Sequence, residues 1–191
     1  MYKYLLALCA LCLSLPLVVS GAPLPPDSVY RLPPLMLVDQ QGQSFALDSL
    51  AGQPRLIGMF YGSCHMVCPL EIDAVKKIQQ QIVRAGGKPI PVLLVSFDSR
   101  HDQLSDLRQL AREHHITAPL FQLTRVTQGD VGLLGGVLGI SWRALPDGGF
   151  VHNAVLTLLD DQGRILARQD AQNPPQAEFI QAILAQQNSA R

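Results

Sequence analysis

A three-layer α/β sandwich is the fold class this chain predicts, and three observations predict it. Two apolar runs of strand length, residues 56–61 and 91–97, are each followed by residues repeating at helical spacing. The order then continues through a strand, a helix, a hairpin and a last helix, which places helices over a central mixed sheet behind an N-terminal hairpin. Finally, 48% of the 191 residues are hydrophobic and neither an internal repeat nor a linker divides them, so one core serves the chain.

The elements follow in chain order. Residues 22–33 are proline-rich and read as an irregular leader into a domain spanning 34–187. Residues 34–38 and 44–47 form a short hairpin around Asp39-Gln40-Gln41-Gly42. The run 56–61 holds no charge and reads as a central strand buried on both faces. Pro69 suits a first helical position, Glu71 and Asp73 lie in the first turn, and Val75, Ile78 and Ile82 repeat along one face. Lys76, Lys77 and Arg84 come later and Gly86-Gly87 ends that helix, so acid early and base late complement its dipole. Residues 91–97 form a second buried strand, and Leu104, Leu107, Leu110 and Ala111 mark a helix reaching about His114. Residues 119–123 read as a third strand, and Thr127 with Asp130 as the capping box of a glycine-rich helix. Residues 150–159 and 164–168 read as a hairpin turned at Asp160-Asp161-Gln162-Gly163. Pro174-Pro175 opens a last helix carrying Ala177, Ile180, Ile183 and Leu184.

The first 21 residues are a separate matter. Lys3 is the only charge before Asp27, residues 5–19 are apolar apart from Ser14 and Pro16, and small residues follow at Ser20, Gly21 and Ala22. A basic start, a short apolar region and a small-residue exit make a secretory signal over residues 1–21, with an uncleaved membrane anchor as the alternative. Neither Cys9 nor Cys12 follows a small residue, as a lipid-bearing cysteine would. Removing the signal leaves 14 basic against 15 acidic residues, a net charge of −1 with histidines neutral. No basic face offers itself to nucleic acid, and membrane association is expected only through an uncleaved signal segment or a partner.

Removing the signal also leaves Cys64 and Cys68 as the only thiols, in Gly62-Ser63-Cys64-His65-Met66-Val67-Cys68-Pro69. A disulfide closing so small a loop restrains the unfolded chain little, so the pair points to chemistry more than to stability. Two cysteines four apart on a helical turn share one face. Where a strand hands over to a helix, free N–H groups and the positive end of the helix dipole favour thiolate. Thiolate serves disulfide exchange or a soft metal ion. Two sulfurs are too few for a four-ligand zinc site but suffice for a cuprous ion with one further donor. His152, near the start of a strand after Gly148-Gly149, is the residue chosen as that donor. His65 points away from the face shared by the cysteines, and His101, His114 and His115 sit in a polar loop and at a helix end. Met59 reads as strand packing, and Met66 as lining or covering the pair.

Taken together, Met59-Phe60-Tyr61-Gly62-Ser63-Cys64-His65-Met66-Val67-Cys68-Pro69, then Val95-Ser96-Phe97-Asp98, then Phe150-Val151-His152 ahead of Leu159-Asp160-Asp161-Gln162-Gly163, resembles the Sco/SenC family over roughly residues 25–185. The resemblance implies a thioredoxin-like fold and a copper-binding protein of the cell envelope, in bacteria the periplasm. It implies copper, as Cu(I) or Cu(II), on Cys64, Cys68 and His152, and a part in assembling the dinuclear copper centre of cytochrome c oxidase. The expected partner is therefore a respiratory copper enzyme subunit or another copper protein. Asp98 falls where the family carries an acidic residue after the second core strand, and it is not read as a ligand. The chain departs from the family's pattern at His65, where proline is common, and in Asp98-Ser99-Arg100-His101-Asp102, where the family has Asp-Pro-x-x-Asp. These departures bear on the oxidase assignment more than on the copper site.

Two functions compete on this reading. A metallochaperone would hold copper on the two thiolates and the imidazole and pass it on by ligand exchange. A thiol-disulfide oxidoreductase would attack a partner disulfide with Cys64 and resolve the mixed intermediate with Cys68. Against the second, residues 150–152 hold no proline where such reductases place a cis-proline. A thiol peroxidase is a third and weaker expectation. The chain therefore reads as a metallochaperone before an enzyme.

Overall fold

A computed structural model describes residues 23–62, 67–146 and 148–189, with backbone alone at 67–69 and 189. The expected signal at residues 1–21, and Cys64, His65 and Met66, lie outside the described residues. The strands are β1 (Met36–Asp39), β2 (Ser44–Ala46), β3 (Arg55–Phe60), β4 (Val92–Ser96), β5 (Phe121–Gln128), β6 (Trp142–Ala144), β7 (Phe150–His152), β8 (Val155–Leu159) and β9 (Ile165–Asp170). The helices are α1 (Val67–Arg84), α2 (Leu104–Glu113), α3 (Val131–Leu138) and α4 (Ala177–Ser189).

Seven strands form one mixed sheet in the order β2-β1-β5-β4-β3-β8-β9. β3, β4 and β5 run parallel, with Leu56 opposite Val92 and Val92 opposite Phe121. α1 and α2 provide the long crossovers that parallel neighbours require. Every residue of β3 and β4 is buried, which is why both read in sequence as unbroken apolar runs. β1, β8 and β9 join antiparallel, and β1 with β2 makes the expected N-terminal hairpin.

α1 buries Ile72, Val75, Ile78 and Ile82 along the face read from their spacing. Gly58 gives it a close approach to β3. A Cβ there would lie 2.5 Å from Glu71 Oε1 and 3.0 Å from Leu94 Cδ2. α1 packs beside α4, and α2 lies against β1 and β5.

The structure corrects the expected elements at four places. α1 begins at Val67, two residues before the predicted start, so Cys68 already belongs to its first turn. Pro69 is tolerated there because first-turn N–H groups have no intrahelical partner. The third strand runs over 121–128 instead of 119–123. Thr127 therefore lies within β5, where its hydroxyl donates to the Met36 carbonyl at 3.2 Å, and it caps nothing. Asp130 alone is the N-cap of α3, its Oδ1 accepting from Gly132 N at 2.8 Å.

The fourth correction concerns residues 150–159, which are two strands. β8 continues the main sheet, while β7 pairs with β6 in a separate two-stranded ribbon. Asn153 breaks the run. Its side chain accepts from Ser141 N at 2.8 Å and donates to the Gly139 carbonyl at 2.9 Å, turning the chain between the two sheets.

Candidate metal centre

β3 delivers the chain through Tyr61 and Gly62 to the cysteine motif. Gly62 is held from outside the motif. Its N–H donates to Asp102 Oδ2 at 2.7 Å, and the same oxygen accepts the Ser96 hydroxyl at the end of β4. Asp102 is buried, and that desolvation raises its carboxyl above the usual aspartate range, against the lowering effect of the two hydrogen bonds.

His152 reaches the same region from the ribbon. Trp142 and His152 are register partners across β6 and β7, so their side chains share one face. That face meets Tyr61 and Phe97. The imidazole centroid lies 5.7 Å from the Tyr61 ring at 85° and 5.2 Å from Phe97 at 61°. Phe97 in turn stacks on Trp142 at 4.9 Å, and Phe150 meets both Tyr61 and Phe97 edge-on. His152 is thus set in an aromatic cage whose tyrosine stands three residues before Cys64.

The imidazole is also oriented. His152 Nδ1 lies 3.2 Å from the Asn153 carbonyl oxygen, which can only accept, so Nδ1 carries the proton. In the neutral ring, Nε2 then holds the lone pair. Nε2 is buried and has no hydrogen-bond partner among the described residues. A buried lone pair, with the other ring nitrogen turned to a carbonyl, is free to accept a proton or a metal ion.

Of the three expected ligands, then, His152 is placed. Cys64 lies outside the described residues, and Cys68 is described only as backbone in the first turn of α1. Among the described residues no three His, Cys, Asp or Glu side chains gather to hold a metal, as expected when both sulfurs fall outside them. His101 is exposed and bonds Asp98 Oδ1 at 2.7 Å, His114 closes α2, and His115 follows it at φ 51°. Met59 is fully buried in β3. Sequence reasoning missed the cage and Asp102. The signals available were an aromatic residue ending the strand before the motif and the chain's single tryptophan. Among the described residues, no helix is long and apolar enough to cross a membrane.

Comparison with known proteins gives the family and the fold. The SCO1/SenC family pattern matches residues 31–187. The SCO1 protein homolog of Bacillus subtilis (strain 168) is 20% identical over 158 residues, covering 81% of each chain. Arabidopsis thaliana ScoI, solved with copper bound, superposes with a TM-score of 0.68 at 14% identity, over 82% of this chain and 98% of its own. BsSco, described as having a disulfide switch and as a member of the Sco family of cytochrome c oxidase assembly proteins, gives 0.62 at 18% identity, over 83% of this chain and 91% of its own. These solved structures share the thioredoxin-like fold of this chain, whose own central sheet is mixed and seven-stranded. With a family match over most of its length, the chain belongs to the SCO1/SenC family.

Proposed function

We propose that this protein binds copper on the thiolates of Cys64 and Cys68 and on Nε2 of His152, and delivers it to a respiratory copper enzyme such as cytochrome c oxidase. The observation that carries the reading is the buried Nε2, unpartnered among the described residues, with Nδ1 turned to the Asn153 carbonyl. Two soft thiolates and one imidazole suit cuprous ion, and the copper-bound plant relative supports the choice of metal. Copper is cargo here. Three donors leave the ion open to attack by an incoming ligand, which is what transfer requires. The working place is the cell envelope, reached through the signal at residues 1–21, with 22–33 as leader and 34–187 as the functional domain.

Anaerobic titration of the reduced protein with Cu(I) against a competing chelator tests the ligand set. His152→Ala is expected to lower the affinity by at least tenfold at unchanged thiol content. Equal affinity in wild type and variant rejects the three-ligand site.

A second reading is favoured by the disulfide switch described for BsSco. Cys64 and Cys68 would then reduce the cysteines of a partner copper site before copper enters it, being oxidised to a disulfide themselves. Retention of oxidase activity in Cys64→Ser cells given excess copper would argue against an indispensable reductase step.

A further inference from the structure

Beside the aromatic cage a cleft of about 750 Å³ opens between the loop after β4 and the junction of β5 with α3. Its apolar lining is made by Phe97, Trp142 and Phe150, and Phe97 also meets the His152 ring. Arg100 and Arg125 also line the cleft.

Arg125 is the unexplained group. It projects from β5 at the position facing Ser96 on one side and Val38 on the other, and it is half-buried. A guanidinium offers five N–H donors. Here Nη2 donates to the Ser99 carbonyl at 3.0 Å, and Nε is buried with no partner among the described residues. Among the described residues, neither cleft arginine pairs with a carboxylate, and the ion pairs join His101 to Asp98 and Arg164 to Asp160 instead. Two acids also line the cleft, each with one oxygen held by a neighbour other than the arginines. Asp98 Oδ1 holds His101, and Asp130 Oδ1 caps α3. A partly desolvated guanidinium with no counter-ion is costly, and planar donors in that setting match a carboxylate better than any neutral group.

We propose that this cleft is a carboxylate-binding subsite. The ligand's carboxylate sits on Arg125 with Arg100 at the rim, and an adjoining apolar group lies against Phe97 and Trp142. Two sources share this chemistry: an aspartate or glutamate on a docking partner protein, and a small carboxylate-bearing thiol such as glutathione. In either case the ligand is held one ring away from His152, beside the candidate copper and thiol centre. The binding itself requires no metal, so it stands or falls separately from the copper reading.

Trp142 is the only tryptophan in the chain, which makes its fluorescence a reporter of the cleft. The full metal-free chain is titrated with acetyl-Asp-Phe-Ala-amide, with its neutral counterpart acetyl-Asn-Phe-Ala-amide, and with glutathione. A saturable change is expected for the acidic peptide, glutathione or both, weakening as salt is added. Affinity for the neutral peptide, and that of Arg125→Gln for the acidic ligand, should fall about tenfold, with Arg125→Lys restoring part of the loss. Tighter binding of glutathione assigns the small thiol, and tighter binding of the peptide assigns the partner side chain. Equal affinity for acidic and neutral peptides, or no saturable change with either acidic ligand, overturns the proposal. So does undiminished binding by a folded Arg125→Gln. Should Arg125→Gln fail to fold, the acidic-to-neutral ratio and the salt dependence of the wild type decide.

Discussion

Asp102 accepts the backbone N–H of Gly62 at 2.7 Å, so a carboxylate far from the motif in sequence fixes the chain two residues before Cys64. The approach leaves space only for glycine, since a Cβ at Gly62 would lie 2.7 Å from Asp102 Oδ1. Ser96 bonds the same carboxylate and also accepts Asp98 N–H at 3.1 Å. The entrance to the cysteine loop is therefore anchored to the end of β4, a fully buried strand, and is not left to the loop's own preferences.

That anchor makes stability depend on pH. Burial holds the Asp102 carboxyl above its ordinary range, so between the ordinary and the raised value the folded chain retains a proton that the unfolded chain has lost. Stability from this group is fully present below the ordinary aspartate range and is lost as pH rises through the raised value. Asp102→Asn keeps an oxygen to accept from Gly62 but cannot ionise. Urea unfolding at neutral and mildly acid pH should show a smaller gain on acidification in Asp102→Asn than in wild type. Identical slopes would mean that Asp102 titrates normally.

Gly58 should tolerate no side chain. An added methyl meets Glu71 Oε1 at 2.5 Å, Leu94 Cδ2 at 3.0 Å and Leu156 Cδ2 at 3.1 Å, so it is hemmed in by α1, β4 and β8 together. Overpacking of this kind costs about 1–3 kcal/mol. Gly58→Ala is expected to lower the unfolding free energy by that amount, read as a lower urea midpoint at an unchanged slope. A midpoint equal to wild type would show that α1 lifts freely from β3, and with it the helical turn carrying Cys68.

Gly135 plays the matching part on the other side of the cage. A Cβ there would run into the Trp142 ring and lie 3.1 Å from the Ile140 carbonyl. Gly135→Ala must therefore displace the indole that stacks on Phe97. A shift in Trp142 emission is expected, together with a change in Cu(I) affinity smaller than that caused by losing His152. Unchanged emission would mean that α3 moves and the ring does not.

The parts of the fold legible in sequence are those whose environment is uniform along the element. β3 and β4 are buried on both faces and read as apolar runs, and α1 and α2 show their inner faces through Ile78 and Leu107 at helical spacing. β5 was misplaced because its later half, through Arg125, Thr127 and Gln128, is polar while still paired. The ribbon strand β6 has only three residues, and nothing in Trp142-Arg143-Ala144 announces a partner. The division of β7 from β8 depends on the hydrogen bonds of Asn153 to residues at the end of α3, which no local pattern encodes. His152 was chosen from its place after Gly148-Gly149 and matched again by family likeness, whereas the cage depends on contacts between residues up to 91 positions apart, Tyr61 and His152. Those contacts become visible only once the ribbon is folded over the end of β3.

Phe97 tests whether that cage serves the metal ligand or merely the core. It is 5% exposed, touches His152 at 5.2 Å and stacks on Trp142 at 4.9 Å. Phe97→Leu keeps most of the buried apolar volume but removes the flat surface against the imidazole, at a cost of roughly 1–2 kcal/mol. If the ring orients His152, Cu(I) affinity should fall about tenfold while the reactivity of the two thiols stays the same. The discriminating measurement is a double-mutant cycle. In a His152→Ala background the imidazole is already gone, so adding Phe97→Leu should cost no further affinity. Full additivity of the two losses would mean that Phe97 acts on the cysteine loop through Tyr61 instead, and the orienting role assigned to it would be withdrawn.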